Sequence, residues 1–367
     1  MLLVVNAGSS SLKLAVFDAS LREVAQARAE RIGTGGPADH RSALQAGLAE
    51  MGITASDLTA AAHRVVHGGA TLTVPCRITA EVEAQIEACA ALAPLHNPAN
   101  LMGIRALAAL APDLPQYASF DTAFHATNPE VARRYALPPQ AEALGLRRYG
   151  FHGISYASLV ARWPALTGGP VPRRLLALHL GNGASLCALR DGVSVATTMG
   201  YSPLDGLTMG TRAGTIDGNA VLRLAEIHGI GDASRILNRE SGLLGLGGAS
   251  DMRALHAAGT GAARFAIAHF CYWAVRHAGS MIAAMGGLDA VAFTGGIGEN
   301  DALVRAEIMA GLAWTGLRFD RDANRGAAAR LDGDASDVAV WLVPADEERH
   351  IAAEALGLIR SSPTEEP

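Results

Sequence analysis

The chain has 367 residues, 50% of them hydrophobic, a mean hydropathy of +0.20 and a formal net charge of −5, which describes a folded protein of about two domains with a sizeable core. This composition excludes a disordered chain, and the negative balance without any run of Lys or Arg argues against a nucleic-acid surface. Four cysteines, Cys76, Cys89, Cys187 and Cys271, show no paired spacing; a reduced, cytoplasmic protein without disulfides or a Cys-based zinc site is the expectation. The opening apolar run lacks a basic leader and is too short for a signal peptide. The most apolar later stretch, Phe265 to Val275, is interrupted by His269 and bounded by Arg264 and Arg276, so it reads as a core helix and not as a membrane span.

In chain order, MLLVVNAGSSSLKLAVF reads as a strand over Leu2 to Val5, a small-residue turn, and a returning strand over Leu12 to Phe17. Gly8 frees the backbone of that turn, while Ser9 and Ser11 add hydroxyls beside its N–H groups, a pattern suited to surrounding phosphate oxygens. Lys13 is the only lysine of the chain, and its ammonium is a compact point charge that suits a phosphate. From Asp18 to about Leu58 the pattern supports helix and loop only. Ala61 to Val66 is strand-like and places Arg64 inside an apolar run, costly unless the guanidinium meets an anion.

Thr79 caps a predicted helix with Glu81 and Glu83 in its first turn, stopped by Pro94; Asn97 and Pro98 signal the N-cap and first position of another, reaching about Leu110. Tyr117 to Phe120 forms a short strand that delivers Asp121 at its C-terminal end, where open α/β sheets gather ligands. RRYGFHG, with Arg147, Arg148 and His152, falls at a plausible domain junction. Leu175 to Leu180, the turn LGNG and Ala184 to Leu189 repeat the opening strand, small-residue turn and strand. Two such hairpins point to a duplicated fold with one phosphate loop from each lobe around a nucleotide cleft. MGYSPLDGLTMGTRAGTID, with Arg212 its only basic group, reads as a loop approached by substrate. SGLLGLGGASDMR is Gly-rich and opens a helix through Ala258; Val291 to Thr294 is a buried strand, and GGIGEN leads to a helix capped by Asn300 or Asp301, an anion or adenosine seat. Val338 to Val343 is the last strand, and Asp346, Glu347 and Glu348 open the C-terminal helix.

NAGSSSLK, HRVVHGG, PLHNPANL, FDTAFH, RRYGFHG, LHLGNG, SPLDGLTMGTRAG, SDMR and FTGGIGEN together resemble the acetate kinase family, whose motifs occur in this order along most of the chain. The resemblance implies an α/β, two-lobed, actin-like (ribonuclease H-like) ATPase fold with duplicated mixed-sheet domains around a central cleft. The expected lobes are residues 1–126 with 348–367, and 127–347. It implies reversible transfer of the ATP γ-phosphoryl to acetate, giving acetyl phosphate and ADP, with Mg²⁺ as the metal and Mn²⁺ as its substitute. Arg64, Arg212, His152 and Asp121 take the catalytic positions by resemblance, and Asn6 and Glu347 the metal side. The nucleotide positions are Lys13, Ser9, Ser11, His179, Leu180, Gly181, Asn182, Gly183, Asp251, Met252, Arg253, Gly296, Ile297, Gly298, Glu299 and Asn300. Val66, Leu95, Phe151 and Pro203 match the acetate-methyl pocket. The resemblance also implies a homodimer, with the apolar helix from Phe265 to Ala284 a candidate contact, and no membrane or nucleic-acid partner.

The chain departs from the family pattern in three places. It is short between Asp18 and Thr59; Thr215 and Gly218 stand where an Asp and a Pro usually follow TRAG; and Ala345-Asp346 replaces the usual Thr-Asn before the Glu pair. Three other readings remain. The first is a propionate or butyrate kinase, differing in pocket depth. The second is a metal hydrolase built on His63, His67, Asp121 and His125, and the third a non-catalytic nucleotide-binding scaffold.

Overall fold

The computed structural model describes residues 1–94 and 96–361 and divides them into two compact units. The first comprises Met1–Ala126, Gly153–Ser158 and the chain from Asp346; the second comprises Thr127–His152 and Leu159–Ala345. Each is built on one mixed sheet.

In the first unit β1 (Leu2–Ala7), β2 (Ser11–Phe17) and β3 (Glu23–Glu30) form an antiparallel meander. β4 (Ala60–Val65) and β6 (Gln116–Phe120) then add in parallel on the other side of β1, and β5 (Cys76–Arg77) closes that edge antiparallel. The second unit repeats the order. β7 (Arg174–Leu180), β8 (Ala184–Arg190) and β9 (Val193–Thr197) form the meander, and β10 (Ala290–Thr294) and β11 (Ala339–Leu342) add in parallel beside β7. The fold is therefore α/β with a duplicated mixed sheet, the ribonuclease H-like order of actin-like ATPases. The strands next to the switch from antiparallel to parallel pairing are buried on both faces, which is why LLVV, LLAL and AVAF read as continuous apolar runs.

Both faces of the first sheet are covered. Leu3, Val5, Leu12, Leu14 and Val16 pack with Leu44, Leu48 and Leu107 from the helices His40–Glu50 and Asn97–Leu110. Leu2, Val4, Ala15 and Phe17 pack with Ile351, Ala352 and Ala355 of the C-terminal helix Glu347–Ser361. In the second unit the helix Gly261–Met285 buries Ala266, Phe270, Ala274, Ala278 and Ile282, whereas Phe265 and Tyr272 lie on its exposed side. The expectation of a core helix thus holds for one face only.

Several local expectations are corrected. The 18–58 region contains β3, whose sequence EVAQARAE is made largely of helix formers and buries only Ala27. Pairing with β2 outweighs its propensity, and its charged residues suit an edge. GGIGEN is itself the helix Gly295–Asn300, and the next helix, Ala302–Gly311, is capped by Asp301, whose Oδ1 accepts from the Leu303 and Val304 amides. Part of the Gly-rich segment also coils, as Gly242–Gly247.

Asn97 is the first residue of its helix and does not cap it. Its fully buried amide accepts from His67 N at 3.0 Å and donates to His67 O at 2.9 Å and Ile86 O at 3.2 Å, tying the end of the HRVVHGG segment to two helices. Replacement by Leu strands those backbone groups in the core, so Asn97→Leu is expected to lower unfolding stability by about 2–4 kcal/mol in urea titration. A midpoint equal to that of the wild type would show that the amide contributes nothing.

Candidate functional site

In the first unit the sheet brings four distant residues to one place. Asn6 is the penultimate residue of β1 and sits opposite Lys13 in the β1–β2 register, so the two side chains share a face. Arg64 lies on β4, and Asp121 follows β6 immediately. Arg64 Nη2 donates to Asp121 Oδ2 at 2.7 Å, its Nε to both carboxylate oxygens at 3.2 and 3.3 Å, and its Nη1 to Asn6 Oδ1 at 3.4 Å. The Asp121 backbone is fixed as well: its N–H donates to Val65 O, and its carbonyl accepts from Gly153 N at 2.8 Å. A Cβ at 153 would lie 2.2 Å from that carbonyl, so this close approach requires glycine.

The electrostatics are set by burial. Desolvation works against the Arg64 charge, but Asp121, Glu347 and Glu348 outweigh it and hold the guanidinium above its ordinary pKa. Burial pushes the Glu347 carboxyl above the usual glutamate value; Glu348 adds to this, while Arg64, Lys13 and a hydrogen bond from Ser155 oppose it. Lys13 Nζ pairs with Glu348 Oε1 at 2.8 Å.

Glu347 and Asn6 are both tied to Arg64, the first by its charge and the second through Oδ1 at 3.4 Å from Nη1, and a carboxyl with an amide oxygen is the hard-oxygen donor type that suits Mg²⁺, which takes few protein ligands and completes its shell with water and phosphate. Among the described residues no three His, Cys, Asp or Glu side chains gather as a metal cluster, so His63, His67, Asp121 and His125 do not form a hydrolase centre. Burial lowers both His63 and His67 to about 4, leaving them neutral.

In the second unit His152 adopts a left-handed conformation, φ 59°, immediately before the helix Gly153–Thr167, a strained setting for a residue with a Cβ. Its Nδ1 lies 2.9 Å from Ser185 Oγ on β8, and its ring stacks on His179 with centroids 4.2 Å apart. Arg212 Nη1 donates to Pro203 O at 3.2 Å. Both side chains reach the β7–β8 turn: a Cβ at Gly183 would sit 3.1 Å from His152 Nε2 and 3.6 Å from Arg212 Nη1.

Beside that turn is a cavity of about 860 Å³, a size that takes a nucleotide. Gly181 and Asn182 line it with Gly296, Ile297 and Asn300 on one side and Asp251, Met252 and Arg253 on another. Asp251 caps the helix Met252–Ala258 and pairs with Arg253; these bonds lower its carboxyl to about 2. Ser250, His256, Asp301, Ala302 and Leu303 also line the cavity and were not among the expected nucleotide positions; His256 Nε2 meets Asp301 Oδ2 at 2.8 Å. The only sequence signal for Asp301 was its capping position.

Other expected positions fall elsewhere. Leu180 and Gly298 are buried and do not line the cavity, and Glu299 Oε1 accepts from the Gly295 and Ala345 amides. Ser9 is exposed and Ser11 half-buried, in a turn closed by Gly8 N donating to Ser11 O at 2.8 Å. Val66 is buried in the first unit; Phe151 is buried and Pro203 half-buried in the second. Leu95 lies outside the described residues. No described helix is long and apolar enough to cross a membrane.

Comparison with known proteins is consistent along the whole chain. Residues 1–353 match the model of the acetokinase family. An acetate kinase of Rhodopseudomonas palustris is 42% identical, with 96% of each chain covered. Among solved structures, Porphyromonas gingivalis acetate kinase superposes with a TM-score of 0.89 at 35% identity, covering 98% of this chain and 99% of that one. A propionate kinase from Francisella tularensis gives 0.90 at 35% identity, covering 96% and 98%.

Glu347 carries a pH prediction. A carboxyl whose pKa rises on folding destabilises the folded state once pH exceeds the unfolded value of about 4.3. The penalty is absent below that pH, grows through the window between the unfolded and folded values, and is then constant. Glu347→Gln should therefore raise the thermal midpoint of the ligand-free protein at pH 8 and lose this advantage at pH 4. A variant less stable than wild type at pH 8 would show that the carboxylate is already satisfied.

Proposed function

Because the chain belongs to the acetokinase family, we propose that it transfers the γ-phosphoryl of ATP reversibly to acetate, giving acetyl phosphate and ADP. The reading rests most directly on the convergence of His152 and Arg212 beside Gly183, in the turn whose neighbours Gly181 and Asn182 line the cavity. A nucleotide held in that cavity carries its phosphate tail toward donors fit to stabilise charge spreading over the transferred group.

An acetate oxygen attacks the γ-phosphorus as the bond to the ADP oxygen breaks, and the leaving charge stays on ADP. The nucleophile is already ionised near neutral pH, so no base has to remove a proton. The 2.7 Å pair supports a role for Asp121 in holding Arg64 oriented and charged. Arg64 then neutralises the acetate carboxylate, and Arg212 and His152 the transferring phosphoryl. Asn6 and Glu347 would hold Mg²⁺, which supplies charge neutralisation at the β- and γ-phosphates. Asp251, Met252, Arg253, Gly296, Ile297 and Asn300 fit the nucleoside end, and Lys13 the phosphates. A homodimer fits the exposed Phe265 and Tyr272 on the helix Gly261–Met285, and light scattering in solution tests it.

The propionate kinase likeness supports a second acceptor. One methylene in an apolar pocket changes discrimination by only about 1–3 kcal/mol, so propionate should react more slowly without being refused.

Purified protein should form acetyl phosphate from ATP and acetate and ATP from acetyl phosphate and ADP, with kcat/KM falling from acetate through propionate to butyrate. A preference for propionate or butyrate would move the assignment within the family, and ATP binding without acetate-dependent ADP release would leave a scaffold. Arg64→Ala and Arg212→Ala should each lower kcat by about 10³ or more while ADP still binds. Near-wild-type turnover would remove the altered arginine from the reaction. Lys13→Arg keeps the charge and loses the compact ammonium, so a raised KM for ATP is expected; unchanged kinetics would count against phosphate contact.

A further inference from the structure

Arg212 lies in a segment, Met199 to Asp217, that has neither helix nor strand to hold it. Its guanidinium donates to the carbonyl of Pro203 at 3.2 Å and lies 3.7 Å from Met209 Sδ, so whatever fixes residues 203–206 helps to fix where the charge points. Asp205 does this through both carboxylate oxygens. Oδ2 accepts from Arg148 Nη1 at 3.0 Å, and the same Arg148 nitrogen donates to Thr198 O and Met199 O, at the start of the segment. Oδ1 accepts from Thr215 Oγ1 at 2.9 Å and from Gly206 N at 2.9 Å, reaching the far end. The two ends are further joined by Thr215 N donating to Gly206 O at 2.9 Å and Gly206 N donating to Thr215 Oγ1 at 3.2 Å. Arg148 is itself set over the Tyr135 ring, 5.5 Å from its centroid, and the Tyr135 hydroxyl accepts from Tyr201 N.

We infer that Asp205 is a positioning residue for Arg212: by bridging Arg148 to Thr215 it closes the base of the segment and fixes the Pro203 carbonyl on which the guanidinium lies. This rests on the reading of Arg212 as a group at the reacting phosphoryl. Thr215 is part of the same closure. Its hydroxyl donates to Asp205, as a second carboxylate there could not do while ionised. The Arg148–Asp205 pair is partly exposed, with side chains 26% and 33% accessible, so screening limits its contribution to stability and its effect should fall mainly on geometry.

Asp205→Asn keeps the shape and removes the charge. It should lower kcat for acetyl phosphate formation about 10- to 100-fold, the range a small misplacement at a reacting centre can produce. Nucleotide affinity, measured as ADP binding by calorimetry, should stay within about twofold, because this segment does not line the nucleotide cavity. The decisive measurement is the cycle with Arg212→Ala: if Asp205 acts through Arg212, the double variant turns over within about twofold of Arg212→Ala alone. A role confined to general stability would instead add its own loss to that variant. Thr215→Val tests the same closure without touching the ion pair and should lower kcat in the same direction, with Thr215→Ser restoring it. Wild-type kcat in Asp205→Asn, or losses that multiply in the double variant, would overturn the inference while leaving the proposed reaction standing. Absence of acetate-dependent turnover in the wild type would remove that reaction and this inference together.

Discussion

A guanidinium on an inner strand of a mostly apolar sheet is tolerated only if its charge is met, and the first unit is arranged around meeting the charge of Arg64. Its partner, Asp121, comes from the next parallel strand, one residue beyond Phe120, which pairs with Val65. The register of β4 on β6 therefore decides whether the carboxylate arrives. Both groups are largely withdrawn from water, and such a pair adds little net stability while the loss of one partner leaves a buried charge costing about 3–5 kcal/mol. The arrangement is better understood as a fixed, permanently charged arginine than as a source of stability. Asn6 joins from β1 on the other side of β4, and Glu347 from the start of the C-terminal helix packed on the same sheet face as Leu2 and Val4.

The same strand order serves a different purpose in the second unit. There the first turn, Gly181 to Gly183, carries no fixed charge; it is a surface approached by His152 and Arg212 and continued by the N-terminal end of Gly295–Asn300. His152 gains its position from backbone strain, since its left-handed conformation turns the ring toward Ser185 and His179 at the point where a helix begins. One unit thus places an arginine and a carboxylate at neighbouring strand ends with a second carboxylate from a helix start, and the other presents small-residue backbone at its first turn. Duplication supplied the frame, and the loops supplied the difference.

Much of this was legible because strong local signals agreed with the fold. The runs around Val4, Leu176 and Val291 are long, apolar and bounded by Gly turns, and no competing structure suits them. β3 was not legible, because EVAQARAE owes its extended form to a neighbouring strand and nothing in its own residues records it. Asn97 carries a capping signal that is real in general; here a buried amide found stronger bonds in two neighbouring segments. Within the site, Asp121 at a strand end and Arg64 in an apolar run were visible one by one. The meeting of His152 with Arg212, sixty residues apart, came only through the family resemblance, since spacing carries no record of a loop folding back onto a turn. His256 was missed for a simpler reason: a lone His five residues after a capping Asp looks like any helix surface until Asp301 is seen beside it.

The single lysine is a case where burial decides what a charge can do. Lys13 and Arg64 share the neighbourhood of the Glu347–Glu348 pair, yet Lys13 keeps 43% of its side chain accessible against 23% for Arg64. An ion pair that exposed is worth roughly 0–1 kcal/mol, because water competes for both partners and the flexible stem loses entropy when held. Glu348 therefore orders Lys13 without committing it, and a polyphosphate carrying several charges would take the ammonium from one carboxylate at little cost. Arg64 cannot be drawn away in that manner: it is gripped by three bonds to Asp121 and has no comparable access to solvent. The two cations therefore differ by their surroundings: Arg64 is held in one place by its carboxylate, and Lys13 is held loosely enough to change partners.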